Sequence, residues 1–257
     1  MNIFKPYRVS GITVGIAINL IVLAIASSTV NAQATTAVAA NSSVTTTLSA
    51  SQKQQHLVNI QTRGSAEITR RLTSLNTVLG KITSNSKLTV ADQTSLVSEV
   101  NTEITGLTNL KTQLVADTTL TAAITDAQSI ISEYRVYALV LPKIWLVSTA
   151  DSQQVTEAKL TTLSQNLQSR ITSDQQAGLN VASIQSQLDS VNTLVATAQG
   201  ISSNMEQSVV GLQPSDYNAD KTVLSGDLAK LKTANADLKS AYTNDKTIVS
   251  ALENLKS

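Results

Sequence analysis

Two glutamates, Glu99 and Glu103, stand one helical turn apart, as metal-binding carboxylates do on a helical bundle. Bundles that bind two iron ions take one glutamate from each of two helices and a Glu-x-x-His pair from each of two more. This chain has a single histidine, His56, and no glutamate lies three residues before it. We therefore expect no metal site.

The residue types also give no support to nucleophilic or redox chemistry. The chain has no cysteine, which excludes thiol catalysis and cysteine-ligated zinc. Serine and threonine are abundant, but no base or oxyanion-stabilising group can be assigned to activate one of them. Aromatic residues make up only 3% of the chain, whereas small-molecule pockets are usually lined by aromatic side chains. The sequence therefore predicts a protein that is not an enzyme and has no cofactor.

The charge balance excludes other classes of partner. The full chain carries 19 basic and 18 acidic residues, and removal of Lys5 and Arg8 with an N-terminal signal leaves 17 against 18. Proteins that bind nucleic acid normally carry a basic patch or stripe, and docking on anionic lipid requires clustered Lys and Arg. We expect neither kind of partner.

The N-terminal segment has the pattern of a secretion signal. Lys5 and Arg8 precede an apolar run over residues 12–25, and two small-x-Ala sites end at Ala32 and Ala34. Residues 1–34 are therefore predicted to be a signal peptide cleaved at one of these alanines. Residues 35–50 are small, uncharged and aperiodic, which is typical of a flexible Ser/Thr/Ala spacer.

From residue 51 to residue 257, apolar residues recur every three or four positions, which is the helical period. Helices of about 30 residues with short connections must pack against antiparallel neighbours. The sequence predicts an all-α fold, an elongated antiparallel bundle of about five long helices. We prefer two three-helix units that share a kinked central helix, in the manner of spectrin repeats, with sub-units 51–142 and 143–257. A single four- or five-helix bundle is the alternative.

Polar and special residues mark the expected ends of these helices. The first helix should stop near Ser84, and Thr89 with Asp92 forms a variant of the capping box at the next start. Another boundary is expected at residues 117–119. Pro142 should kink the third helix or separate two helices there, because proline loses a hydrogen bond inside a helix. Asn180 is the expected N-cap of the fourth long helix, and Pro214 the expected start of the last.

One block, residues 134–147, is apolar on nearly every face and holds three of the five aromatic residues outside the signal segment. A helix that is hydrophobic all round is either buried or contacts something other than water. Either the block crosses the middle of the bundle, or Tyr134, Arg135, Tyr137 and Trp145 form a patch where a partner docks, since such residues dominate binding hot spots.

The same block and the C-terminal tail carry a resemblance. The segment YRVYALVLPKIWLVSTAD over residues 134–151, and the segment over residues 214–252 that begins PSDYNADKTVL, resemble a group of secreted helical-bundle proteins from bacteria with small genomes. Their most specific pieces are the Tyr-Arg-Val-Tyr-Ala run and the Asp-Tyr-Asn turn. The resemblance implies export and a helical architecture, and it carries over no functional residue.

These observations favour an exported, non-enzymatic helical-bundle protein that acts as an interaction or structural module. We expect it outside the cytoplasm, as a secreted, cell-wall or periplasmic protein, with another protein or a second copy as its partner. Two alternatives stay open: an extracytoplasmic domain that binds a small molecule, as helical sensor domains do, and a membrane protein anchored by an uncleaved N-terminal segment.

Overall fold

The computed structural model describes residues 48–255. The predicted signal segment 1–34, its cleavage positions Ala32 and Ala34, and the predicted spacer up to residue 47 lie outside this range. Within it, no helix is both long enough and apolar enough to cross a membrane.

The described chain is all-α, as the sequence predicts. Five helices are long and two are short, and the part of the chain described contains no strand. The elements are α1 (Ala50–Ser84), α2 (Val90–Ala116), α3 (Leu120–Ser132), a π-helical turn (Val136–Val140), α4 (Leu141–Gln176), α5 (Ala182–Val209), α6 (Pro214–Ala219) and α7 (Asp227–Asn254).

Local side-chain chemistry sets several of these ends, and both the cap predicted at Thr89 and the boundary predicted at residues 117–119 are confirmed. Thr89 is the N-cap of α2 and accepts a hydrogen bond from the Asp92 amide, while Thr119 caps α3 in the same way. Such bonds satisfy amides that have no partner inside the helix. The fourth long helix differs by one residue from the prediction: its N-cap is Val181, although the Asn180 side chain still accepts from the Ala182 amide.

The break before α4 lies upstream of the predicted position at Pro142. Arg135 has a left-handed backbone with φ of 41°, and the π-helical turn begins at the next residue. Pro142 is the second residue of α4, which continues directly from the π-helical turn because the Leu141 amide donates to the Val136 carbonyl. Arg135 therefore separates α3 from the π-helical turn, and Pro142 is compatible with continuous helix.

The predicted start of the last long helix at Pro214 is wrong. Pro214 begins the six-residue α6, and α7 begins only at Asp227. Between them the Asp220 side chain accepts hydrogen bonds from both the amide and the hydroxyl of Thr222, and Gly226 has φ of 82°. Asp side chains compete with the helix for backbone donors in this way, and glycine adopts positive φ at little cost.

Two hydrophobic cores follow one another along α4. The first is built from α1, α2, α3 and α4 as far as Ala150, together with Met205 and Val209 at the end of α5 and Leu231 of α7. The second begins at Leu160 and is built from α4, α5 and α7. The helix α4 therefore belongs to both cores.

Helices that follow one another along the chain run antiparallel, as cross-helix hydrogen bonds show for α1 with α2 and for α4 with α5. Between α1 and α2, Gln61 reaches the carbonyl of Leu114, whereas Gln93 reaches that of Ile82. Residue numbers therefore rise along one helix as they fall along the other. The same relation holds between α4 and α5, where Gln168 bonds Gln185 and Ser202 bonds Glu157.

Candidate functional site

A central segment, residues 134–154, contains no exposed residue. The helix α2 runs antiparallel along it and places acidic side chains on its contact face. We call the polar residues at this contact the polar seam: Asp92, Glu99 and Glu103 of α2, Tyr134, Lys143 and Asp151 of the central segment, and Glu206 of α5. Spacings of seven and four residues put the three α2 carboxylates on one helical face.

Lys143 is the cation at the middle of the seam and is 0% exposed. Its Nζ atom lies 2.7 Å from Oε1 of Glu99 and donates to the carbonyl of Leu212 at 2.7 Å and to that of Val210 at 3.4 Å. Carbonyls just past the end of a helix lack helical partners, and a lysine is well suited to bind them. Lys143 therefore neutralises a carboxylate of α2 and binds the chain that leaves α5.

Glu103 lies one turn further along α2, beyond the hydrogen bonds of Lys143. Burial and the neighbouring charge of Glu99 raise the pKa of Glu103 to about 7, although Lys143 opposes this effect. Its Oε2 atom is buried and has no hydrogen-bond partner. Burial also raises the pKa of Glu99, and the hydrogen bond and charge of Lys143 lower it. The seam therefore holds one carboxylate that is paired and another that binds a proton near neutral pH.

At the other end of the seam, three carboxylates converge from three helices. Asp92, Asp151 and Glu206, which we call the acidic cluster, each have an oxygen within 4.8 Å of the other two. The Thr89 hydroxyl donates to Asp92, and the Thr89 amide donates to Oδ2 of Asp151 at 2.9 Å. Gln154 donates to Oε2 of Glu206 at 2.8 Å. The N-terminal cap of α2 thus also positions two members of the cluster.

Among residues 48–255, no cation compensates the charge of the acidic cluster. None of the ion pairs formed by residues 48–255 involves its three carboxylates. Burial raises the pKa of Asp151 to about 6, the Thr89 amide opposes this effect, and the charges of Asp92 and Glu206 add to it. Carboxylate oxygens are the ligands that hard divalent cations prefer, so these residues could hold such an ion.

Sequence reasoning found part of the seam and missed the rest. It singled out Glu99 and Glu103. The structure pairs Glu99 with Lys143 and places Glu103 beside them. It missed the acidic cluster because Asp92, Asp151 and Glu206 are far apart in sequence and share no motif. The one available signal was that acidic residues occupy positions at which the helical period otherwise places apolar core residues. His56, the single histidine of the chain, is half-buried in α1.

The four residues weighed as a partner patch are all half-buried. Tyr134, Tyr137 and Trp145 pack against the first core. The Tyr137 hydroxyl lies 3.2 Å from the Ser74 hydroxyl, and the guanidinium of Arg70 lies 4.9 Å from the Tyr137 ring centroid.

Arg135 joins the two pieces that carried the sequence resemblance. Its Nε donates to Oδ1 of Asn218 at 2.6 Å, and its guanidinium lies 5.5 Å from the Tyr217 ring centroid. Asn218 in turn donates to the carbonyl of Ser132, the last residue of α3. The Asp-Tyr-Asn turn of α6 thus contacts the left-handed turn at Arg135.

Comparisons with protein-family models, with curated proteins and with solved structures found no match to this chain. The resemblance to secreted helical-bundle proteins stays an expectation that rests on the two segments over residues 134–151 and 214–252.

Proposed function

We propose that this chain is an exported, non-enzymatic helical-bundle protein that acts as an interaction or structural module in the cell envelope or at the cell surface. The observation that carries the proposal is the continuity of α4 through both cores. Its 36 residues rise about 54 Å at 1.5 Å per residue. A helix packed into two successive cores resists bending between them, which suits a rigid spacer.

The surface hydroxyls support the non-enzymatic part of the proposal. Many exposed Ser and Thr side chains donate to the carbonyl of the residue four positions earlier on their own helix, among them Thr62, Thr94, Thr105, Thr193 and Ser190. A hydroxyl whose proton is directed at its own backbone is not activated by a neighbouring base, as a nucleophile must be. These residues form a neutral polar coat.

The proposed partner is another protein or a second copy of the chain, and the proposed location is extracytoplasmic. The near-zero net charge supports a protein partner over nucleic acid. Large apolar side chains that are exposed lie scattered over several helices, so no residue set is assigned as the contact surface.

The experiment that tests this proposal is cross-linking on intact native cells with a membrane-impermeant, amine-reactive reagent, followed by peptide mass spectrometry. Exposed lysines such as Lys159 and Lys239 should react, and buried Lys143 should not, which gives an internal control for a folded target. Cross-links from the exposed lysines to one recurring envelope protein, or to a second copy, are expected. Reaction only after the cytoplasmic membrane is broken would contradict the proposed location, because extracytoplasmic lysines lie outside that membrane.

A separate experiment tests the proposal that the protein is not an enzyme. A turnover abolished by one conservative substitution in the polar seam, with an unchanged melting temperature, would contradict it.

A further inference from the structure

We propose that the acidic cluster is a binding site for a divalent cation, calcium above all, that joins α2, α4 and α5. This inference rests on side-chain geometry and does not depend on export or on the proposed function. Asp92, Asp151 and Glu206 supply three carboxylates from three separate helices.

The spacing of the oxygens suits calcium. Calcium–oxygen distances are about 2.3–2.6 Å, so two ligand oxygens of one ion lie at most about 5 Å apart. The three carboxylate oxygens of the acidic cluster lie within 4.8 Å of one another. Calcium also tolerates irregular geometry and takes water as a ligand, whereas magnesium requires a near-ideal octahedron. Three protein carboxylates completed by water satisfy the calcium requirement.

A second observation, separate from the proximity of the acids, points to a missing partner. Asp151 is 1% exposed, and its Oδ1 atom is buried with no hydrogen bond, while its Oδ2 atom is held by the Thr89 amide. A buried oxygen without a partner costs free energy. No lysine or arginine within the described range pairs with any of the three carboxylates. A bound cation supplies both the missing partner and the missing positive charge.

The cluster has a route to solvent. Thr89 is exposed, and Gln154 and Glu206 are half-buried, so a hydrated ion reaches the carboxylates from the side of the α2 N-terminus. Once bound, the ion would hold the start of α2 to α4 and to the C-terminal part of α5, where the two cores meet. Because it binds the native arrangement alone, it should stabilise the fold by mass action.

The test is calcium titration of the purified chain, freed of metal with a chelator, by calorimetry and by thermal unfolding. We expect saturable binding of one ion with a Kd of about 10⁻⁴ to 10⁻³ M, the range of extracellular calcium modules. The melting temperature should rise by several degrees at about 10 mM calcium, and magnesium should bind roughly tenfold more weakly. Sodium chloride at matched ionic strength should leave the melting temperature nearly unchanged.

Three variants separate the site from general charge effects. Asp151→Asn and Glu206→Gln should each weaken calcium binding at least tenfold. The matched control is Asp245→Asn, which removes another buried carboxylate, located in α7 away from the cluster. It should leave the calcium affinity unchanged.

The inference is overturned if the wild-type chain shows no saturable calcium binding, since the carboxylates then only accept the hydrogen bonds of Thr89 and Gln154. It is also overturned if sodium chloride reproduces the calcium shift, or if both ligand variants bind calcium as the wild type does. The wild-type titration decides the first two cases whether or not a variant folds.

Discussion

Lys143 of α4 places its Nζ atom 2.7 Å from Oε1 of Glu99 on α2, and the lysine side chain is fully buried. The same nitrogen lies 2.7 Å from the carbonyl of Leu212, beyond the end of α5. One cation thus joins α2, α4 and the chain that follows α5, at the level of the first core. The acidic cluster joins α2, α4 and α5 with three carboxylates, and no ion pair within the described residues involves it.

Removing the buried cation should destabilise the fold strongly. In Lys143→Met, Glu99 keeps its charge without a partner, and two carbonyls lose their donor. We expect the free energy of unfolding to fall by about 3 kcal/mol, as found when one partner of a buried ion pair is removed. Urea denaturation measures this change.

The double variant Lys143→Met with Glu99→Leu is the control. It removes both charges, and replacing a buried pair by apolar groups is often nearly neutral. The double variant should therefore recover at least about 1 kcal/mol of the loss. A double variant no more stable than Lys143→Met would show that the ion pair is not the cause.

Glu103 should make the stability depend on pH between about 4.5 and 7. Its pKa is raised in the folded state, so the native chain binds more protons than the unfolded chain in this window. The free energy of unfolding therefore falls as the pH rises from the unfolded pKa of 4.5 to the folded pKa of about 7. The variant Glu103→Gln should be more stable than wild type at pH 8 by about 1 kcal/mol or more, and nearly equal to it at pH 4.

Denaturation midpoints measured at both pH values test this expectation. The variant Glu253→Gln, at an exposed position of α7, serves as the control and should follow the wild type at both pH values. Parallel pH profiles for wild type and Glu103→Gln would contradict the expected role of Glu103.

Asp245 is 0% exposed in α7, and neither of its carboxylate oxygens has a hydrogen-bond partner. Burial raises the pKa of Asp245 to about 6. The substitution Asp245→Leu replaces an unpaired buried carboxylate next to the second core by a larger apolar side chain with the same branching. It should raise the free energy of unfolding by about 1–3 kcal/mol at pH 8.

The increase in the free energy of unfolding caused by Asp245→Leu should be smaller at pH 4.5, because Asp245 is protonated in the folded chain at that pH. Thermal unfolding at the two pH values measures the difference. An equal increase in the free energy of unfolding at both pH values would indicate that removal of the buried charge is not its cause.

Gly64 lies in α1 where α2 approaches closely. A Cβ atom at Gly64 would lie 2.5 Å from Cδ2 of Leu114, which is fully buried and has little room to move. Gly64→Ala should lower the free energy of unfolding by about 1–3 kcal/mol, as overpacking does, although alanine favours helix. A Cβ atom at Gly200 in α5 would have no neighbouring atom within 4 Å, so Gly200→Ala should raise the free energy of unfolding by about 1 kcal/mol. Calorimetric melting of the pair tests the expectation, and a stabilising Gly64→Ala would contradict the packing.

The helices could be predicted because local signals and packing agree. Apolar residues at the helical period mark the core faces, and Thr89 and Thr119 cap helices through bonds within three residues of themselves. Such interactions depend on nearby sequence alone. The all-α class and most helix ends were therefore accessible before the structure.

The remaining features depend on contacts between distant residues. The left-handed turn at Arg135 is stabilised by Asn218, which lies far along the chain, so Pro142 is the more conspicuous residue in the sequence. The acidic cluster needs three helices to assemble, and neither spacing nor motif marks it. The turn at Arg135 and the acidic cluster both depend on contacts between residues that are distant in sequence. No short sequence pattern encodes such contacts.

The most direct test of the proposed exported role is the intact mass of the native protein from separated cell fractions. We expect a species that begins at Gln33 or Thr35, found in the wall, the periplasm or the medium. A species that retains residues 1–34 in the membrane fraction would favour the anchored alternative over the secreted form. Full-length protein confined to the cytosol would contradict export and, with it, the proposed function.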